Sequence, residues 1–239
     1  MELIVISQPP HQVYSPEHIY FHANKFDIDI SSLSVTKAKF ESLMRIPNSI
    51  FFDIDKNSNQ ETSLPHMLPS KKSWENFVSN LGINNSDHVI IYDNSDVFSS
   101  CRVWFTFLYF GHDLNLVSIM DGDLKKWLNE KRPTSKEINN TKTSKYLANE
   151  DFSLVVNINQ INENIIKKEY QLIDARGEQR FLGLQQEPRK ELRSGNIKNS
   201  INLPFQKLIN ENRTLKKKEE LINIFKEKQI FIDKEMAFT

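Results

Sequence analysis

The chain has 239 residues and carries 31 basic and 31 acidic side chains, so its formal net charge at pH 7 is zero. This balance gives no overall field that would recruit nucleic acid or an anionic membrane, and we predict neither as a partner. The single cysteine excludes an intramolecular disulfide framework and is typical of a reducing compartment. Together with an N-terminus that lacks the features of a signal peptide, it predicts a cytoplasmic protein.

Predicted strands and helices alternate through the first half of the chain. Residues 1–40 are hard to interpret, although the segment HIYFHANKFDIDI (18–30) is compatible with a strand. HVIIY (88–92) is a continuous apolar run, typical of a strand that is covered on both faces. Such alternation implies right-handed crossovers and predicts an α/β fold with a mostly parallel sheet. In chain order the predicted elements are strand 48–54, helix 71–82, strand 88–92, helix 99–110, strand 116–120 and helix 123–131.

A change of composition separates this half from a second, similar one. Residues 132–151 are rich in Pro, Thr, Ser, Asn and Lys and poor in apolar side chains, which predicts an interdomain linker. We therefore predict an N-terminal domain over residues 1–131 and a C-terminal domain over residues 152–239. The second domain contains predicted helix 157–169, strand 170–176, helix 216–228 and strand 235–239.

The two predicted domains share an internal repeat. RIPNSIFFDID (45–55) is echoed by GNIKNSINLPF (195–205), and HVIIYD (88–93) is echoed by EMAFT (235–239). Aligning the tyrosine at position 92 with the last residue gives an offset of 147 residues (239 − 92), and this register superimposes apolar side chains without a gap. The repeat predicts that both domains have the same fold. The superimposed pairs are Trp74 on Leu221, Phe77 on Ile224 and Ile83 on Ile230.

Four segments resemble the two-domain sulfurtransferases, that is, the thiosulfate and 3-mercaptopyruvate sulfurtransferases built from tandem rhodanese domains. They are RIPNSIFFDID (45–55), LPHMLP (64–69), FSSCRVWFTFLYFGH (98–112) and IDARGEQRFLGLQQEPR (173–189). The resemblance implies two rhodanese-like α/β domains, each a mostly parallel sheet flanked by helices, with a non-catalytic N-terminal domain. It also implies transfer of a sulfane sulfur from a small anionic donor, 3-mercaptopyruvate or thiosulfate, to cyanide or to a thiol such as thioredoxin. No cofactor is implied.

The family's nucleophile is a cysteine that directly follows the strand corresponding to EMAFT and carries the sulfur as a persulfide. A tight loop that opens a helix lowers the pKa of such a thiol, because the thiolate is the reactive form. In this sequence the position is residue 240, one beyond Thr239. We therefore expect the C-terminal domain to be incomplete and the chain to be inactive alone. Two alternatives stay open: a catalytically inactive rhodanese-like binding or regulatory module, and a relative of the dual-specificity phosphatases, which share the fold.

Arg180 and Arg189 lie nine residues apart (189 − 180) on the polar segment that follows the strand YQLIDA (170–175). An anionic donor needs fixed cations, and guanidinium groups bind carboxylates and oxyanions bidentately. The resemblance implies that both arginines bind the substrate, and the EPR motif at 187–189 favours mercaptopyruvate over thiosulfate. The simpler alternative is two solvent-exposed surface arginines.

Asp55 and His66 are the predicted catalytic pair of the N-terminal domain. The resemblance implies that they form a relay near the domain interface with a serine that would be residue 242. An aspartate can fix the tautomer of an imidazole, which can then polarise a hydroxyl group or the substrate. Alternatively, His66 only packs the segment LPHMLP (64–69) against the rest of the protein.

Other reactive side chains have simpler interpretations. Cys101 lies within a predicted helix, where a free cysteine is usually a small packed apolar residue. The repeat matches the nucleophile position to Asp93 and not to Cys101. His18 and His22 would share one face of a helix, but no further ligand completes a site, so we predict no bound metal.

Overall fold

The computed structural model describes the chain over residues 3–5, 27–30, 44–62, 64, 66–94, 98–137, 141–187 and 193–239. Its internal contacts divide the chain into two units. The N-terminal unit comprises Tyr14–Asp151, and the C-terminal unit comprises Met1–Val13 together with Phe152–Thr239. The first strand, β1 (Leu3–Val5), therefore belongs to the C-terminal unit.

Strands and helices alternate in the N-terminal unit, and the elements predicted from the sequence are confirmed. They are β2 (Asp27–Ile30), β3 (Ser49–Phe51), α1 (Lys71–Asn80), β4 (Val89–Asp93), α2 (Ser100–Tyr109), β5 (Val117–Ile119) and α3 (Asp123–Asn129). The strands form a parallel sheet in the order β3–β2–β4–β5. Every residue of β4 is buried, as expected for an apolar strand covered on both faces.

Helix α1 shows how the sequence sets the limits of these elements. The Ser70 side chain accepts the backbone N–H of Ser73 at 3.3 Å and so caps the start of the helix. Gly82, with a left-handed φ of 80°, follows its last turn. On the buried face, Trp74 stacks on Phe110 with ring centroids 5.1 Å apart. The predicted amphipathic helix thus packs its aromatic side onto the core of the unit.

The C-terminal unit repeats the alternation but forms a mixed sheet. Its elements after β1 are β6 (Val155–Val156), α4 (Ile158–Lys167), β7 (Gln171–Asp174), α5 (Glu178–Phe181), β8 (Ile201–Asn202), α6 (Lys218–Glu227) and β9 (Met236–Phe238). The strand order is β6–β1–β9–β7–β8. Strand β7 is parallel to β8 and β9, whereas β1 is antiparallel to β6 and β9. The predicted α/β class is confirmed for both units.

The same turn precedes β3 and β8. Asn48 and Asn199 both have a left-handed φ of 68°. The next residues, Ser49 and Ser200, each donate a hydroxyl hydrogen bond of 2.6 Å to the carbonyl oxygen three residues earlier. Asparagine visits this backbone region more readily than other non-glycine residues. The NSI echo in the sequence therefore encodes one turn that the protein uses twice.

The ends of α1 and α6 also match, at the offset of 147 residues that the sequence predicts. Ile83 and Ile230 each donate a backbone N–H to the carbonyl oxygen five residues earlier, at 3.3 and 2.9 Å. The residues before them, Gly82 and Gln229, both have positive φ angles. Both isoleucines are buried. The predicted register is thus confirmed by equivalent backbone hydrogen bonds as well as by apolar positions.

Strand pairing follows the same repeat, with one difference. Strand β2 lies between β3 and β4 as β7 lies between β8 and β9, and all four of these pairings are parallel. On its other side β4 has the parallel strand β5, whereas β9 has the antiparallel strand β1. In this register Tyr92 of β4 corresponds to Thr239, which directly follows β9.

Residues 132–151, predicted as a linker, lie in the N-terminal unit by their contacts. Ser135 forms an antiparallel bridge with Arg45. The buried Tyr146 places its hydroxyl 3.2 Å from Nδ1 of His112, and the two rings stack. The segment therefore packs against the N-terminal unit despite its low apolar content, because these few contacts hold it there.

Candidate active site

A buried ionic cluster lies at the carboxyl end of β7. Asp174, the last residue of the strand, is fully buried, and its two carboxylate oxygens lie 3.0 and 3.2 Å from Arg176 Nε. Arg176 Nη1 donates to Glu187 Oε1 at 2.8 Å, and its Nη2 donates to the carbonyl oxygen of Gly195 at 2.7 Å. Arg176 thereby joins the end of the strand to both arms of the loop that follows it.

Arg180, a predicted substrate-binding residue, lies on α5 and is paired with Glu187. Its Nε lies 3.1 Å from Glu187 Oε2, and its Nη2 donates to the same oxygen. The Glu187 side chain is 2 % exposed, whereas that of Arg180 is 31 % exposed. The hydrogen bond from Arg180, supported by the charges of Arg180 and Arg176, holds the pKa of the Glu187 carboxyl below its usual value. The guanidinium of Arg180 is therefore held by a charged partner while part of it stays open to solvent.

Three of the residues singled out in the sequence lie outside the described residues: Arg189, His18 and His22. Of the two arginines predicted to bind the substrate, the structure therefore describes only Arg180. Its surroundings show a guanidinium locked onto a neighbouring carboxylate, which differs from the freely exposed surface arginine of the alternative interpretation.

The ionic cluster borders the end of β9. The Ala175 backbone N–H donates to the carbonyl oxygen of Thr239 at 3.0 Å. The Asn202 side-chain amide donates to the backbone carbonyls of Asp174 and Arg176, at 3.1 and 2.8 Å, and so fixes the turn that leaves β7. In parallel α/β sheets, ligands bind beyond the carboxyl ends of the strands. This edge of the C-terminal unit is therefore the candidate active site.

The N-terminal unit brings the predicted pair Asp55 and His66 together. His66 Nε2 lies 2.7 Å from Asp55 Oδ1. An ionised aspartate accepts this hydrogen bond, which favours the tautomer with the proton on Nε2 and leaves Nδ1 as an acceptor. The Asp55 side chain is 57 % exposed, so solvent screens the pair and its contribution to folding is small. The contact serves to orient the imidazole more than to stabilise the fold.

Arg102 on α2 holds the backbone at His66. Its Nη2 donates to the carbonyl oxygen of His66, a residue with a left-handed φ of 57°. A cavity of about 10 Å³ lies beside this contact and is also lined by Asn57 and Ser58. That volume accommodates about one water molecule. The cavity therefore offers a hydration position next to the imidazole.

Asp93, the last residue of β4, occupies the position that the repeat matches to the residue expected after Thr239. Its carboxylate is fully buried at the N-terminus of α2, where it accepts the Ser100 backbone N–H at 2.8 Å and the Ser99 hydroxyl at 3.4 Å. An anion there satisfies a helix donor and complements the positive end of the helix. The N-terminal unit thus places a carboxylate where sulfur chemistry would need a thiolate.

Cys101, the single cysteine of the sequence, has the properties of a poor nucleophile. Its side chain keeps exposed surface, yet the protein packed around the sulfur, followed by the negative charges of Asp93 and Asp123, raises the pKa of the thiol to about 12. The reactive thiolate is then scarce at neutral pH. The packed side chain expected from the sequence is therefore wrong, since Cys101 is exposed, but its raised pKa makes it a poor nucleophile.

Comparison with known proteins shows which family the chain resembles. The rhodanese-like domain family matches residues 23–130. The 3-mercaptopyruvate sulfurtransferase of Mus musculus is 36% identical over 196 residues, which are 81% of this chain and 65% of the mouse protein. The thiosulfate sulfurtransferase of Bos taurus is 35% identical over 207 residues, which are 85% of this chain and 69% of the bovine protein. The chain belongs to the thiosulfate and 3-mercaptopyruvate sulfurtransferase family.

The structure of this sulfurtransferase-family chain is similar to solved members as well. The crystal structure of SseA from Escherichia coli, a 3-mercaptopyruvate sulfotransferase with the rhodanese fold, gives a TM-score of 0.79 at 28% identity. The match covers 92% of this chain and 84% of SseA. The rhodanese fold implied by the sequence motifs is therefore confirmed. The chain spans about 65% of the length of its mouse relative.

Three residues of the candidate sites in this family member were not identified from the sequence. Arg176 and Glu187 stand within the quoted motifs, but only their contacts show that they hold Arg180. Arg102 lies next to Cys101 in the sequence, and its bond to the His66 carbonyl depends on the fold. A usable signal was present: acidic and basic residues alternate directly after a buried strand, where unpaired charges are rarely tolerated.

Membrane-spanning helices and metal-binding clusters are both absent from the part of the chain that the structure describes. None of the helices there combines the length and apolar character needed to cross a membrane. Across those same residues, no group of three or more His, Cys, Asp or Glu side chains is arranged to hold a metal ion. The charged side chains of the candidate active site instead bind one another, with Arg176 and Arg180 facing Asp174 and Glu187.

Proposed function

We propose that this family member transfers a sulfane sulfur from 3-mercaptopyruvate or thiosulfate to a thiol or to cyanide, through a cysteine persulfide. The observation that carries the proposal is the position of the Arg176 and Arg180 cluster beside Thr239, at the carboxyl end of β9. The sulfurtransferase names of the mouse and bovine relatives support this donor class. By the repeat, the position after Thr239 corresponds to Asp93, and we propose that the full gene product has a cysteine there.

The proposed chemistry starts with attack of the cysteine thiolate on the sulfur of the donor. With 3-mercaptopyruvate, the carbon–sulfur bond breaks, pyruvate leaves as its enolate and takes up a proton, and the enzyme keeps the sulfur as a persulfide. An acceptor thiolate then attacks the outer sulfur, which releases the acceptor persulfide and regenerates the enzyme thiolate. The thiolate form is required in both half-reactions, so cationic groups near the nucleophile favour the reaction.

The arginines have the proposed role of binding the anionic end of the donor, with Arg189 acting beside Arg180. The partly exposed guanidinium of Arg180 supports this role. Two guanidinium groups face two carboxylates in the described cluster, so its local charge is balanced. Recognition of the donor would therefore depend on directed N–H groups more than on a general positive field.

Asp55 and His66 have the proposed role of a proton relay. Their 2.7 Å contact supports it, because the aspartate sets the imidazole tautomer and leaves Nδ1 able to accept a hydrogen bond. A hydroxyl group or a water molecule that donates to Nδ1 would become more polarised. The relay is predicted to be secondary to the arginines, since Asp55 remains largely exposed and its charge is screened.

A non-catalytic binding module is the second candidate function. The observation in its favour is the pKa of about 12 for the thiol of Cys101, the single cysteine among the 239 residues. A rhodanese-type unit without a reactive thiol can still bind an anion but cannot carry sulfur. The two candidates differ in whether the gene product forms a persulfide.

The deciding experiment expresses the chain together with the residues encoded after codon 239. The product is incubated with 3-mercaptopyruvate and a thiol, sulfide release is measured, and intact mass spectrometry detects one added sulfur atom. We expect sulfide release that survives Cys101→Ser and is lost when the cysteine after Thr239 is replaced by serine. Activity that disappears with Cys101→Ser, or a folded product that forms no persulfide with either donor, would contradict the proposal and favour the binding module.

A further inference from the structure

We propose that Glu187 is a positioning residue for Arg180, which it clamps along one edge of the guanidinium so that the opposite end faces the donor anion. This inference rests on the proposed function. It goes further by assigning a role to a carboxylate inside an anion-binding site, where a negative charge at first sight opposes substrate binding.

The atoms that take part in the contact define the free end of Arg180. Glu187 is bound through Nε and Nη2, which form the side-on edge of the guanidinium, at 3.1 Å from Nε to Oε2 and 3.3 Å from Nε to Oε1. One N–H of Nη2 and both N–H groups of Nη1 remain for other acceptors. Among the described residues, Nη1 of Arg180 has no hydrogen-bond acceptor. These groups form the end-on fork that fits a carboxylate or an oxyanion bidentately.

A rigid series of contacts holds the clamp. The fully buried Asp174 binds Arg176, and Arg176 Nη1 binds Glu187 Oε1 at 2.8 Å. Glu187 is itself 2 % exposed in its side chain, so it has little freedom to turn away from Arg180. Functional side chains are held accurately when their own partners are fixed by a strand. The orientation of Arg180 is thus tied through three residues to the end of β7.

The loop backbone closes around the same clamp. Asn196 donates its side-chain amide to the Phe181 carbonyl at 3.0 Å, and this joins the segment before β8 to helix α5. Gly183 has a left-handed φ of 73°, and a methyl group at its Cα would lie 3.5 Å from Gly195. Because the two arms of the loop meet here, Glu187 and Arg180 approach each other from a fixed backbone.

A purely structural ion pair is the competing explanation. Buried ion pairs often contribute little to stability, because desolvation offsets their attraction. Arg176 alone would already pair Glu187 through Oε1. The ion pair therefore does not need Arg180 for charge balance. The additional side-on contact with Arg180, whose side chain is 31 % exposed, is better explained if Glu187 orients that arginine.

The test measures binding of unreactive donor analogues, so it does not depend on turnover. Pyruvate and sulfate, which carry the carboxylate or oxyanion of the donors but no transferable sulfur, are titrated into the full gene product by calorimetry, for the wild type, Glu187→Gln and Glu187→Asp. Glu178→Gln is the matched control, since it makes the same change at an exposed position of α5, the helix that carries Arg180. We expect the dissociation constant for pyruvate to rise about tenfold in both Glu187 variants and to stay unchanged in the control. In an Arg180→Lys background, Glu187→Gln should add no further loss.

Hydrogen exchange of the Arg180 Nε–H, followed by NMR, reports on the clamp itself. It should be slow in the wild type and fast in Glu187→Gln. Equal pyruvate affinity in the wild type and Glu187→Gln, with the exchange difference present, would overturn the positioning role and leave the proposed function standing. A loss in Glu187→Gln that is fully retained in the Arg180→Lys background would also overturn it. A wild type that binds neither analogue would refute the proposed function, and the positioning role with it.

Discussion

The carboxylate of Asp93 accepts the backbone N–H of Ser100 at 2.8 Å, so the N-terminal unit fills the positive end of α2 with an internal anion. The Ser99 side chain makes no capping bond of its own at this helix. The same strand end in the C-terminal unit leads, in the proposed function, to a thiolate. If the proposed function holds, one duplicated backbone supports a helix-capping carboxylate in one unit and an anionic nucleophile in the other.

Replacing Asp93 with asparagine is expected to make Cys101 more reactive. The side-chain amide oxygen can still accept the Ser100 N–H, but one of the negative charges that raise the pKa of the thiol is removed. Burial remains the larger cause, so the pKa should fall from about 12 only modestly, with about a two- to tenfold gain in reactivity. The measurement is the rate of alkylation of Cys101 at pH 8. The exposed Asp113→Asn is the control, and an unchanged or slower rate in Asp93→Asn would show that this charge does not act on the sulfur.

Substituting Arg102 with glutamine is expected to loosen His66. The change removes the hydrogen bond to the His66 carbonyl, which helps to hold that residue in the left-handed region. A lost hydrogen bond from a charged donor corresponds to about 1.5–3 kcal/mol at most, and partial exposure brings the expected loss to about 1 kcal/mol. Urea denaturation followed by tryptophan fluorescence measures it. Lys125→Gln, at an exposed position of the same unit, is the control and should leave the urea midpoint unchanged. If Arg102→Gln also left the midpoint unchanged, the hydrogen bond from Arg102 would not stabilise the backbone at His66.

The sequence predicted the parts of the fold that depend on local patterns. The apolar run of β4 and the periodicity of α1 identify buried elements directly, and the asparagines at positions 48 and 199 mark a turn whose backbone few other residues adopt. Strand β1 was not predicted, because its pairing with β6 and β9 joins segments far apart in the chain. Pairings of that kind leave no local signal.

The candidate sites were predicted in part for a related reason. Asp55, His66 and Arg180 stand in recognisable motifs, so a resemblance identifies them without knowledge of their contacts. Arg176 binds Glu187 across a loop, and Glu187 in turn binds Arg180. These contacts depend on atomic geometry that the spacing of residues in the sequence does not encode. The burial of Glu187 is visible only in the structure, and it shows that the side chain needs a partner, because a carboxylate with 2 % exposure must be paired.

The ion pairs of Glu187 are expected to make the C-terminal unit sensitive to acid. The pKa of this carboxyl is lowered below 4.5 in the folded protein, chiefly by the hydrogen bond from Arg180, so folding favours its charged form. The resulting stability is fully present above pH 4.5 and is lost as the pH falls through the lower folded value. Amide hydrogen exchange in β7, measured between about pH 5 and pH 3, should show this loss in the wild type and a flatter profile in Glu187→Gln. If the wild type and Glu187→Gln showed the same pH dependence, protonation of Glu187 would not be coupled to the stability of the unit.

Matched substitutions at Asn48 and Asn199 test the duplicated turn and the independence of the two units. Alanine at either position should cost about 1 kcal/mol, because its Cβ disfavours a φ of 68°, and glycine should relieve that strain. Asn199 also donates a side-chain hydrogen bond to the Ile165 carbonyl at 3.0 Å, so Asn199→Gly should remain slightly destabilised while Asn48→Gly should be nearly neutral.

Fluorescence can separate the two turns because the three tryptophans, Trp74, Trp104 and Trp127, all lie in the N-terminal unit. Asn48→Ala should shift the fluorescence transition, whereas Asn199→Ala should shift only the transition seen by amide exchange in β7. If Asn199→Ala moved the tryptophan transition as far as Asn48→Ala does, the two units would unfold together. The duplicated turns would then stabilise one cooperative structure, because strain introduced in either copy would be shared by both units.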